Sequence, residues 1–422
     1  MDKITFVIPT LNEVKTIPFL IKGLKELFNK IQMAYEIICV DGGSSDGTVE
    51  ICNNLGVKVL FQKKQGYAEA LLIGIFNSSG DWIVTMDADF SHPAEFILEF
   101  LKYKEDADII IASRYIKGGF SCTGFLRKCV SRFICILFRY GLSLPVKDIT
   151  SGFRLYKREV IKALEAQSFI STEFEILVEI FIEAYRKGYS FKEIPFGYTP
   201  RRQGKSHILN KIFRLFRGYL SLFWKFLKIR NSLKFADYDE RAYYSLNPLQ
   251  RYWQKKRYRI ITDFIKKNGL TVDLGCGSSK IIQSLPEAVA VDISLDKLRY
   301  IRKTNRFIIN ASLDNLPFKD KIFTCIICSE VIEHIKGDNV FKEICRIIKP
   351  QGILIIGTPD YNSLIWKIIE FFYNFLGQGY KDTHITRYTN ITLKEILKNY
   401  EFEIITQKYI FGSELIIKAK KI

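Results

Sequence analysis

The sequence lacks an apolar run long enough to cross a membrane. Its apolar stretches, such as Phe133–Phe138 and Tyr140–Val146, are interrupted by Arg or Lys well short of the ~20 residues that a bilayer-spanning helix needs. The N-terminus has no basic region followed by a long apolar one, so we expect no signal peptide. Because 48% of the residues are hydrophobic and 26% charged, a disordered or low-complexity chain is also excluded.

Cysteine is present without a disulfide pattern. Nine cysteines, an odd number, lie at irregular spacings in 422 residues, which predicts reduced thiols and a cytoplasmic location. Cys325 and Cys328 have the spacing of a CxxC motif, but they lie in an apolar strand, where residues i and i+3 face opposite sides. We therefore expect no metal or redox role for this pair.

Two separate alternations of strands and helices divide the chain. The first has strand candidates at Ile4–Ile8, Glu36–Val40, Lys58–Phe61, Trp82–Met86 and Ile109–Ala112. The second has them at Thr271–Leu274, Ala288–Val291, Phe307–Ile309, Phe323–Cys328 and Ile353–Ile356, followed by an antiparallel edge pair at Glu403–Lys408 and Glu414–Lys418. Such alternation is typical of largely parallel sheets with crossover helices. The sequence predicts two tandem α/β domains, residues 1–230 and 256–422, with a connector at 231–255.

Positive charge is concentrated in two stretches without an acidic residue. The formal net charge is +18, and Ile109–Lys147 and Arg201–Arg230 carry seven and nine Lys or Arg. Each stretch contains a predicted amphipathic helix, Phe125–Tyr140 or Ile208–Ile229. The predicted polar stripes consist of Lys128, Arg132, Cys135 and Arg139 in the first helix, and of Lys211, Arg214, Arg217, Ser221, Lys225 and Lys228 in the second.

These two helices favour a membrane surface as the partner of the positive charge. A wide apolar face beside a purely cationic stripe is typical of a helix that lies in the plane of an anionic membrane. The pattern therefore predicts peripheral binding at the cytoplasmic face of a membrane. The alternative is that each helix packs on the core and exposes its charged stripe to water. The broad apolar faces argue against a nucleic-acid partner.

Two carboxylates one residue apart follow the fourth predicted strand. Trp82–Met86 leads directly into Asp87-Ala88-Asp89, at the carboxyl end of a strand, which is where α/β folds bind their ligands. Two hard oxygen ligands suit Mg2+ or Mn2+ holding a diphosphate. The loops Pro9–Glu13 and Asp41–Thr48 follow the first two strands, and Gly66-Tyr67-Ala68 leads into a helix. These segments together predict a nucleotide-binding edge.

With these motifs, residues 3–208 resemble the family 2 glycosyltransferases, and most closely the dolichyl-phosphate mannose synthases and related polyprenyl-phosphate sugar transferases. The resemblance implies a GT-A-like mixed sheet and inverting, metal-dependent transfer of a hexose, with mannose favoured, to a polyprenyl or dolichyl phosphate. It favours GDP-mannose as the nucleotide sugar and leaves a UDP-sugar open. It assigns the metal to Asp87 and Asp89, and the nucleotide base and ribose to Pro9, Glu13 and Asp41. Residues or motifs that face the two phosphate groups are, by this resemblance, Arg114, Arg127, Ser151–Arg154, Arg201 and Lys205.

Three positions in this half leave alternatives open. Gly42 stands where many relatives carry a second acid, which leaves base selectivity open, and His207 stands where a Lys usually follows the Ser. Asp148 is either a general base or a carboxylate that caps a turn or pairs with an Arg. A lipid monophosphate is already an anion, so the reaction needs cations that bring two phosphate groups together more than it needs a base.

The second alternation carries a glycine turn between a strand and a helix. The turn follows Asp273 and contains Gly275 and Gly277, which let the backbone approach a ligand closely. Asp292 ends the next strand, where a carboxylate is placed to accept ribose hydroxyls.

With Leu316-Pro317-Phe318, Ser329–His334 and Ile348–Gly352 in order, residues 250–420 resemble class I S-adenosylmethionine methyltransferases with a Rossmann-like sheet. The resemblance implies that Asp273, Gly275 and Gly277 surround the methionine part and Asp292 the ribose. It makes His334 a candidate base of O- or C-methyl transfer, the alternative being a His that pairs with Glu333.

Two departures from this second family pattern leave its activity open. Ser312 stands where an Asp often contacts the adenine, and Thr324 replaces a frequent Asp. The first hypothesis is therefore a bifunctional transferase whose second domain methylates a sugar, a glycan or a lipid intermediate. The alternative is a glycosyltransferase whose second domain is non-catalytic and binds a partner.

Overall fold

A computed structural model describes residues 2–199, 212–265, 269–375 and 384–422 of the chain. The chain divides after Ser232 into two units, Met1–Ser232 and Leu233–Ile422. The division lies close to the predicted end of the first domain. Most of the predicted connector at 231–255 falls within the second unit, where it contains one short helix and the first part of a second one.

The first unit contains nine strands and eight α-helices among its described residues, besides two short 3-10 helices at Ala94–Phe96 and Ala166–Ser168. In chain order they are β1 (Ile4–Thr10), α1 (Ile17–Lys30), β2 (Tyr35–Asp41), α2 (Thr48–Asn54), β3 (Lys58–Phe61), α3 (Tyr67–Phe76), β4 (Trp82–Thr85), α4 (Ile97–Lys102), β5 (Ile109–Ser113), β6 (Phe120–Ser121), α5 (Phe125–Gly141), β7 (Arg154–Lys157), α6 (Arg158–Ala163), α7 (Ile176–Arg186), β8 (Phe191–Pro195), β9 (Gly197–Tyr198) and α8 (Ile212–Ile229).

The sheet of this unit is mixed, as predicted. Its seven strands are ordered β3-β2-β1-β4-β7-β5-β8, and β7 is antiparallel to both of its neighbours while the other pairs are parallel. The five predicted strands are all present. Because β1, β2 and β4 run parallel side by side, their carboxyl ends meet at one edge, and the loops that carry Asp41 and Asp87 begin there.

The second unit has a sheet of seven strands. Its elements are α9 (Tyr238–Tyr243), α10 (Pro248–Phe264), β10 (Thr271–Leu274), α11 (Lys280–Gln283), β11 (Val289–Asp292), α12 (Leu295–Ile301), β12 (Phe307–Asn310), β13 (Phe323–Ser329), α13 (Asn339–Ile347), β14 (Ile348–Pro359), α14 (Leu364–Phe375), α15 (Asn390–Asn399), β15 (Phe402–Ile410) and β16 (Glu414–Lys421). The strand order is β12-β11-β10-β13-β14-β16-β15, with β16 antiparallel to β14 and to β15. The predicted antiparallel edge pair is confirmed.

The cysteine pair lies as the strand period requires. Cys325 and Cys328 are both fully buried in β13, and they pack into different hydrophobic clusters of the second unit. Successive side chains of a strand point to opposite faces, so the two thiols lie on opposite sides of the sheet. This confirms only that the two side chains face opposite sides of the sheet, as their spacing predicted.

Helices α5 and α8 pack against each other in the first unit. Phe138 of α5 lies buried with its ring centroid 5.4 Å from that of Phe223 and 6.5 Å from that of Tyr219, both of α8. Within the part of the chain that is described, no helix is both long and apolar enough to cross a membrane.

Candidate active sites

The loops after β1 and β2 are tied together by side chains. Asp41 is buried, and its Oδ2 accepts the backbone N–H groups of Gly43 and Ser44, each at 2.8 Å. The Ser44 hydroxyl in turn accepts the backbone N–H of Asn12 at 2.9 Å, and Asn12 has a positive φ of 56°. Asp41 therefore shapes the loop in which the sequence placed the nucleotide. Its predicted contact with the nucleotide stays a prediction.

The other two predicted nucleotide contacts lie on the same edge. Pro9 is half-buried near the end of β1, beside Val40 of β2. Glu13 is buried, and its Oε2 accepts the Thr16 hydroxyl at 2.8 Å, while its backbone N–H donates to Thr48 of the neighbouring loop. These contacts hold the two loops in one arrangement before any ligand binds.

Asp87 and Asp89 follow the end of β4 on a bent loop. Both are half-buried, and the next residue, Phe90, has a positive φ of 59°, which is a strained conformation of the kind that clusters at functional sites. The backbone N–H of Asp87 donates to Nδ1 of His92 at 2.8 Å, and Nε2 of the same ring lies 4.0 Å from Asp87 Oδ2. The Ser91 hydroxyl donates to Asp89.

His92 is a site residue that the sequence analysis missed. Its buried ring stacks on Phe153 with the centroids 4.6 Å apart, and burial lowers its pKa. A neutral ring in this position accepts the Asp87 N–H and so holds the loop in place without adding positive charge. No local pattern marks a lone His five residues after an acid, so only the packing identifies it.

The side chain of Tyr198 interacts electrostatically with Arg127 and with the paired carboxylates. Arg127 is exposed in the first turn of α5, and burial raises the pKa of Tyr198, an effect that the nearby Arg127 opposes and that Asp87 and Asp89 reinforce. Tyr198 is also within hydrogen-bonding reach of Ser91. Arg127 and the two carboxylates therefore act on the same tyrosine, and the predicted contact of Arg127 with a phosphate stays a prediction.

Asp148 pairs with Arg114, which was one of its two predicted roles. Its carboxylate is fully buried and accepts Arg114 Nε and Nη2, both at 2.7 Å, and the Arg114 backbone N–H at 3.0 Å. Burial alone would raise the pKa of Asp148, but the guanidinium outweighs it and holds that pKa below its usual range. A carboxylate enclosed in this way has no access to an acceptor, so the structure favours the pairing role over the general base.

Arg114 makes more hydrogen bonds within the protein than its predicted role as a phosphate contact requires. Its Nη2 also donates to Thr150 at 2.8 Å, and its guanidinium lies 5.1 Å from the Tyr115 ring centroid. Two of its nitrogens are thus committed to protein groups. The side chain of Arg127, in contrast, is exposed, and the predicted contacts of both arginines with a phosphate stay predictions.

The position of Arg154 contradicts the prediction that this residue of the motif Ser151–Arg154 faces a phosphate group. It is fully buried and donates to three backbone carbonyls, those of Ile149, Ser151 and Leu177, at 2.6 to 2.7 Å. It therefore organises the loop before β7 and cannot face a phosphate. Arg201, Lys205, His207 and Lys211 lie outside the described residues.

The outward side of α5 differs from the predicted polar stripe. Cys135, a predicted stripe member, is buried, and its Sγ lies 3.6 Å from Thr150 Oγ1, because this side of the helix faces the Arg114 pair. The exposed side of α5 carries large apolar side chains along its whole length; Phe125 near its start is 83% exposed and Tyr140 near its end is 73% exposed. We call this set the apolar face of α5; its members are Phe125, Leu126, Phe133, Ile136 and Tyr140.

One cation of the α8 stripe turns toward the protein. Lys225 Nζ lies 2.8 Å from the buried Glu179 Oε1 of α7. Arg217 and Lys228 of the stripe are exposed, and so is Trp224. The side chain of Arg214 is not among those described. Among the described members of the predicted stripe, Lys225 therefore faces the protein, whereas Arg217, Ser221 and Lys228 are exposed.

The second unit encloses a cavity of about 1010 Å3 at the carboxyl ends of β10 and β11. Gly275 and Gly277 line it with positive φ values of 70° and 55°, and a Cβ on Gly277 would lie 2.5 Å from an Asp239 oxygen. Asp292 accepts the backbone N–H groups of Gly277 at 2.8 Å and Ser294 at 2.7 Å. The structure thus brings the predicted glycine turn and the predicted ribose carboxylate together.

Asp273 lines the same cavity and is buried at the end of β10. Burial and the neighbouring Asp292 carboxylate raise its pKa well above the usual range. A cofactor that carries positive charge would relieve this accumulation of buried acid. The four predicted cofactor residues therefore surround one space.

Further cavity residues come from positions that sequence reasoning missed. Asp239 of α9, within the predicted connector, pairs with Lys297 at 2.9 Å and accepts the Ser278 backbone N–H at 2.9 Å. Position 312 is a Ser where the family often has an Asp. Asp314, two residues later, also lines the cavity and accepts the Ser312 hydroxyl, so a carboxylate is present close to this position. Thr324 is not among the lining residues, and its hydroxyl donates to the Leu270 carbonyl at 3.0 Å. The Thr that replaces a frequent Asp at this position therefore does not contribute to the cavity lining.

Acidic and imidazole groups form another wall of this cavity. Glu333 is buried, and burial raises its pKa to about 7. Burial also raises the pKa of Glu330, whose charge Arg257 partly compensates at 3.1 Å. Burial and the neighbouring His334 lower the pKa of His384 to about 4. His334 is exposed to the cavity, as a group that acts on a substrate would need to be.

Comparison with known proteins identifies both units. The profile of the family described as glycosyl transferase family 2 matches residues 5–165, and that described as methyltransferase domain matches residues 272–356. The chain is 36% identical over 223 residues to the dolichol-phosphate mannosyltransferase of Pyrococcus furiosus, a match that covers 50% of this chain and 60% of that protein. The chain therefore spans less than two thirds of that relative.

Two further similarities concern one unit each. The polyprenol monophosphomannose synthase of Mycolicibacterium smegmatis is 30% identical over 217 residues, which cover 47% of this chain and 78% of that protein. A solved SAM-dependent methyltransferase from Thermotoga maritima aligns with a TM-score of 0.38 and 19% identity, over 45% of this chain and 97% of that one.

Proposed function

Because the chain belongs to glycosyl transferase family 2 through its first unit, we propose that this unit transfers a hexose, with mannose favoured, from a nucleotide sugar to a polyprenyl or dolichyl phosphate. The observation that carries this proposal is the pair Asp87 and Asp89 at the sheet edge where the two joined loops meet. The names of the two relatives support the acceptor class and the sugar. GDP-mannose is the favoured donor, and a UDP-sugar is the other candidate.

The residues fit a hard divalent cation. Asp87 and Asp89 supply carboxylate oxygens on one short loop, which is the ligand type that Mg2+ and Mn2+ prefer. When bound there, such a cation supplies charge that stabilises the leaving diphosphate. Arg127, exposed beside Tyr198, would hold the acceptor phosphate near the same point.

The reaction needs no general base from this site. A phosphate oxygen of the lipid attacks the anomeric carbon while the bond from that carbon to the diphosphate breaks, and a single displacement inverts the centre. The attacking oxygen already carries negative charge, so no proton has to be removed. This agrees with the enclosed position of Asp148, which positions Arg114 instead of facing the substrate.

We propose further that the unit acts while bound to the cytoplasmic face of an anionic membrane. The apolar face of α5 is exposed, and so are two cations of the same helix, Arg127 and Arg132. Apolar side chains and cations on one surface suit the boundary between head groups and acyl chains. Since the charges of Arg127, Asp87 and Asp89 all act on Tyr198, docking of α5 would bring the carboxylate site toward the head group of a lipid acceptor.

The test of sugar transfer offers labelled GDP-mannose and labelled UDP-sugars with polyprenyl phosphate and Mg2+ or Mn2+, and measures label in the organic phase. We expect transfer by the parent chain and none by Asp89→Asn. The matched control is Asp106→Asn, since Asp106 is an exposed carboxylate of the same unit that pairs only at the surface with Lys192. Equal transfer by Asp89→Asn and the control would remove the metal site from the proposal.

For the second unit we propose S-adenosylmethionine-dependent methylation of a sugar, a glycan or a lipid intermediate. The specific observation is the cavity at the strand ends, in which Gly275, Gly277 and Asp292 form one cradle. The fit can be tested on the glycine turn, because a Cβ on Gly277 would fill the space beside Asp239. Isothermal titration should detect S-adenosylmethionine binding by the parent chain and at least tenfold weaker binding by Gly277→Ala. An absence of binding by the parent would favour a non-catalytic, partner-binding domain.

A further inference from the structure

Three metal-ligand side chains meet on one wall of the second unit's cavity. One ligand atom each of Glu333, His334 and His384 lies within 4.8 Å of the other two. Glu333 and His334 belong to the short helical turn Ile332–His334, whereas His384 comes much later in the chain. The backbone holds them together, because the N–H groups of Ile385 and Thr386 donate to the Glu333 carbonyl at 2.8 and 3.0 Å.

Unsatisfied carboxylate oxygens point to a missing cation at this wall. Glu333 is fully buried; its Oε2 accepts the Thr358 hydroxyl at 3.2 Å, but its Oε1 is buried without a hydrogen-bond partner among the described residues. Oε1 of Glu330, which lines the same cavity, is in the same condition. A buried carboxylate oxygen without a partner is destabilising, and a bound cation would offset that cost.

We propose that Glu333, His334 and His384 bind a divalent cation whose remaining coordination position faces the cavity and takes a hydroxyl oxygen of the methyl acceptor. Two imidazoles and one carboxylate are a ligand set that catalytic zinc sites use, with an open position for water or substrate. Mn2+ and Co2+ accept the same mixture of nitrogen and oxygen ligands. The cation site stands on the geometry alone, and only the acceptor part rests on the proposed methyl transfer.

The surroundings of His384 are those of a metal ligand. Its Nδ1 lies 2.5 Å from the Tyr361 hydroxyl, and its ring is parallel to that of Trp366 with the centroids 6.0 Å apart. Metal-ligating histidines commonly use their second nitrogen for such a bond, which holds the ring in place. With Nδ1 donating to the Tyr361 oxygen, Nε2 would be the nitrogen that binds the cation.

This assignment changes the role of His334 and narrows the acceptor class. A nitrogen that binds a cation cannot take up a proton, so His334 becomes a ligand and not the general base of the sequence prediction. A cation lowers the pKa of a hydroxyl that it binds. The bond from the acceptor oxygen to the methyl carbon forms as the sulfur–carbon bond of the sulfonium breaks, which leaves a neutral thioether, and the hydroxyl proton passes to water. This step commits the proposal to an alcohol acceptor, such as a sugar hydroxyl.

The test uses Co2+ and the full chain carrying Asp87→Asn and Asp89→Asn, so that the first unit cannot bind the metal. Isothermal titration should show one Co2+ per chain, with visible absorption typical of nitrogen ligation. His384→Ala in the same background should lose this binding, and Tyr361→Phe should weaken it about tenfold to a hundredfold. Lys336→Ala is the matched control, since Lys336 lines the cavity without being one of the ligands, and it should bind Co2+ as the background does.

S-adenosylmethionine binding, measured on the same samples, separates the two proposals. A background chain that binds S-adenosylmethionine but not Co2+ overturns the cation site and leaves methyl transfer standing. Co2+ binding that His384→Ala and Tyr361→Phe leave unchanged overturns the choice of ligands. Co2+ binding without S-adenosylmethionine binding supports the cation site and overturns the methyl-acceptor part.

Discussion

Replacing Phe133 and Ile136 by Ser should release the protein from anionic vesicles. The two side chains are 50% and 52% exposed, so about half of each remains available for burial in a membrane. Full burial of such a side chain is worth about 1.5–3 kcal/mol, which leaves roughly 1 kcal/mol for each and about 2 kcal/mol for the pair. We therefore expect an approximately 30-fold weaker partition into vesicles.

Co-sedimentation with vesicles of varied anionic content measures this partition. The matched control is the double change Phe19→Ser and Phe61→Ser, because those side chains are 67% and 61% exposed in the same unit but lie outside α5. We expect the control to sediment like the parent. Transfer to a long polyprenyl phosphate should fall with vesicle binding, whereas transfer to a short, water-soluble acceptor should change little.

The cationic contribution is tested separately on the stripe predicted for the helix Ile208–Ile229. Reversing Lys211, Arg214 and Arg217 to Glu should also release the protein, since each cation near an anionic leaflet is worth about 1 kcal/mol. High salt should weaken this part and not the apolar part. If both sets of changes sediment like the parent, or if the Phe19 and Phe61 control is released equally, the membrane assignment of these helices is refuted.

Asp148→Asn should destabilise the first unit by about 3–5 kcal/mol, because the buried Arg114 guanidinium then lacks its counter-charge, and adding Arg114→Met should recover part of the loss in scanning calorimetry. Burial raises the pKa of Asp148, but the larger combined effect of Arg114 lowers it below its usual value. The stabilisation by this pair is therefore complete above about pH 4, and it is lost as the pH falls through the lowered pKa. The Tm of the parent's first unit should accordingly fall below about pH 4 more steeply than that of Asp148→Asn; parallel curves would contradict this. Asp292→Ala should weaken S-adenosylmethionine binding by about 1.5–3 kcal/mol, tenfold to a hundredfold, without changing sugar transfer, and equal loss of both activities would show that the units are coupled.

Some features of the sites depend on local sequence alone. Asp87 lies just after a buried strand and Asp292 is the last residue of one. An apolar run that leads into an acid in this way specifies both the strand and the edge where the acid lies. The turn that holds Gly275 and Gly277 is equally local, since positive φ values at two nearby positions strongly favour glycine. These elements were predictable because the signal and the structure occupy the same few residues.

Other features depend on residues that meet only in the folded chain. Asp148 reaches Arg114 34 residues away, and this pairing decided between the two roles that the sequence left open for the carboxylate. His384 joins Glu333 through backbone bonds between distant segments, so no spacing in the sequence indicates the cluster. Strand β7 was missed for the same reason, because it enters the sheet antiparallel between strands that precede it.

The helix α5 divides these two kinds of information most clearly. Its sequence determined that it would be a basic, amphipathic helix, because the spacing of charged and apolar side chains is a property of the helix itself. Which side faces the protein was decided by the tertiary structure, where the side of Cys135 packs toward the Arg114 pair and Phe133 and Ile136 remain outside. A helical period defines two faces but not their partners, since the partners lie on elements far away in the chain.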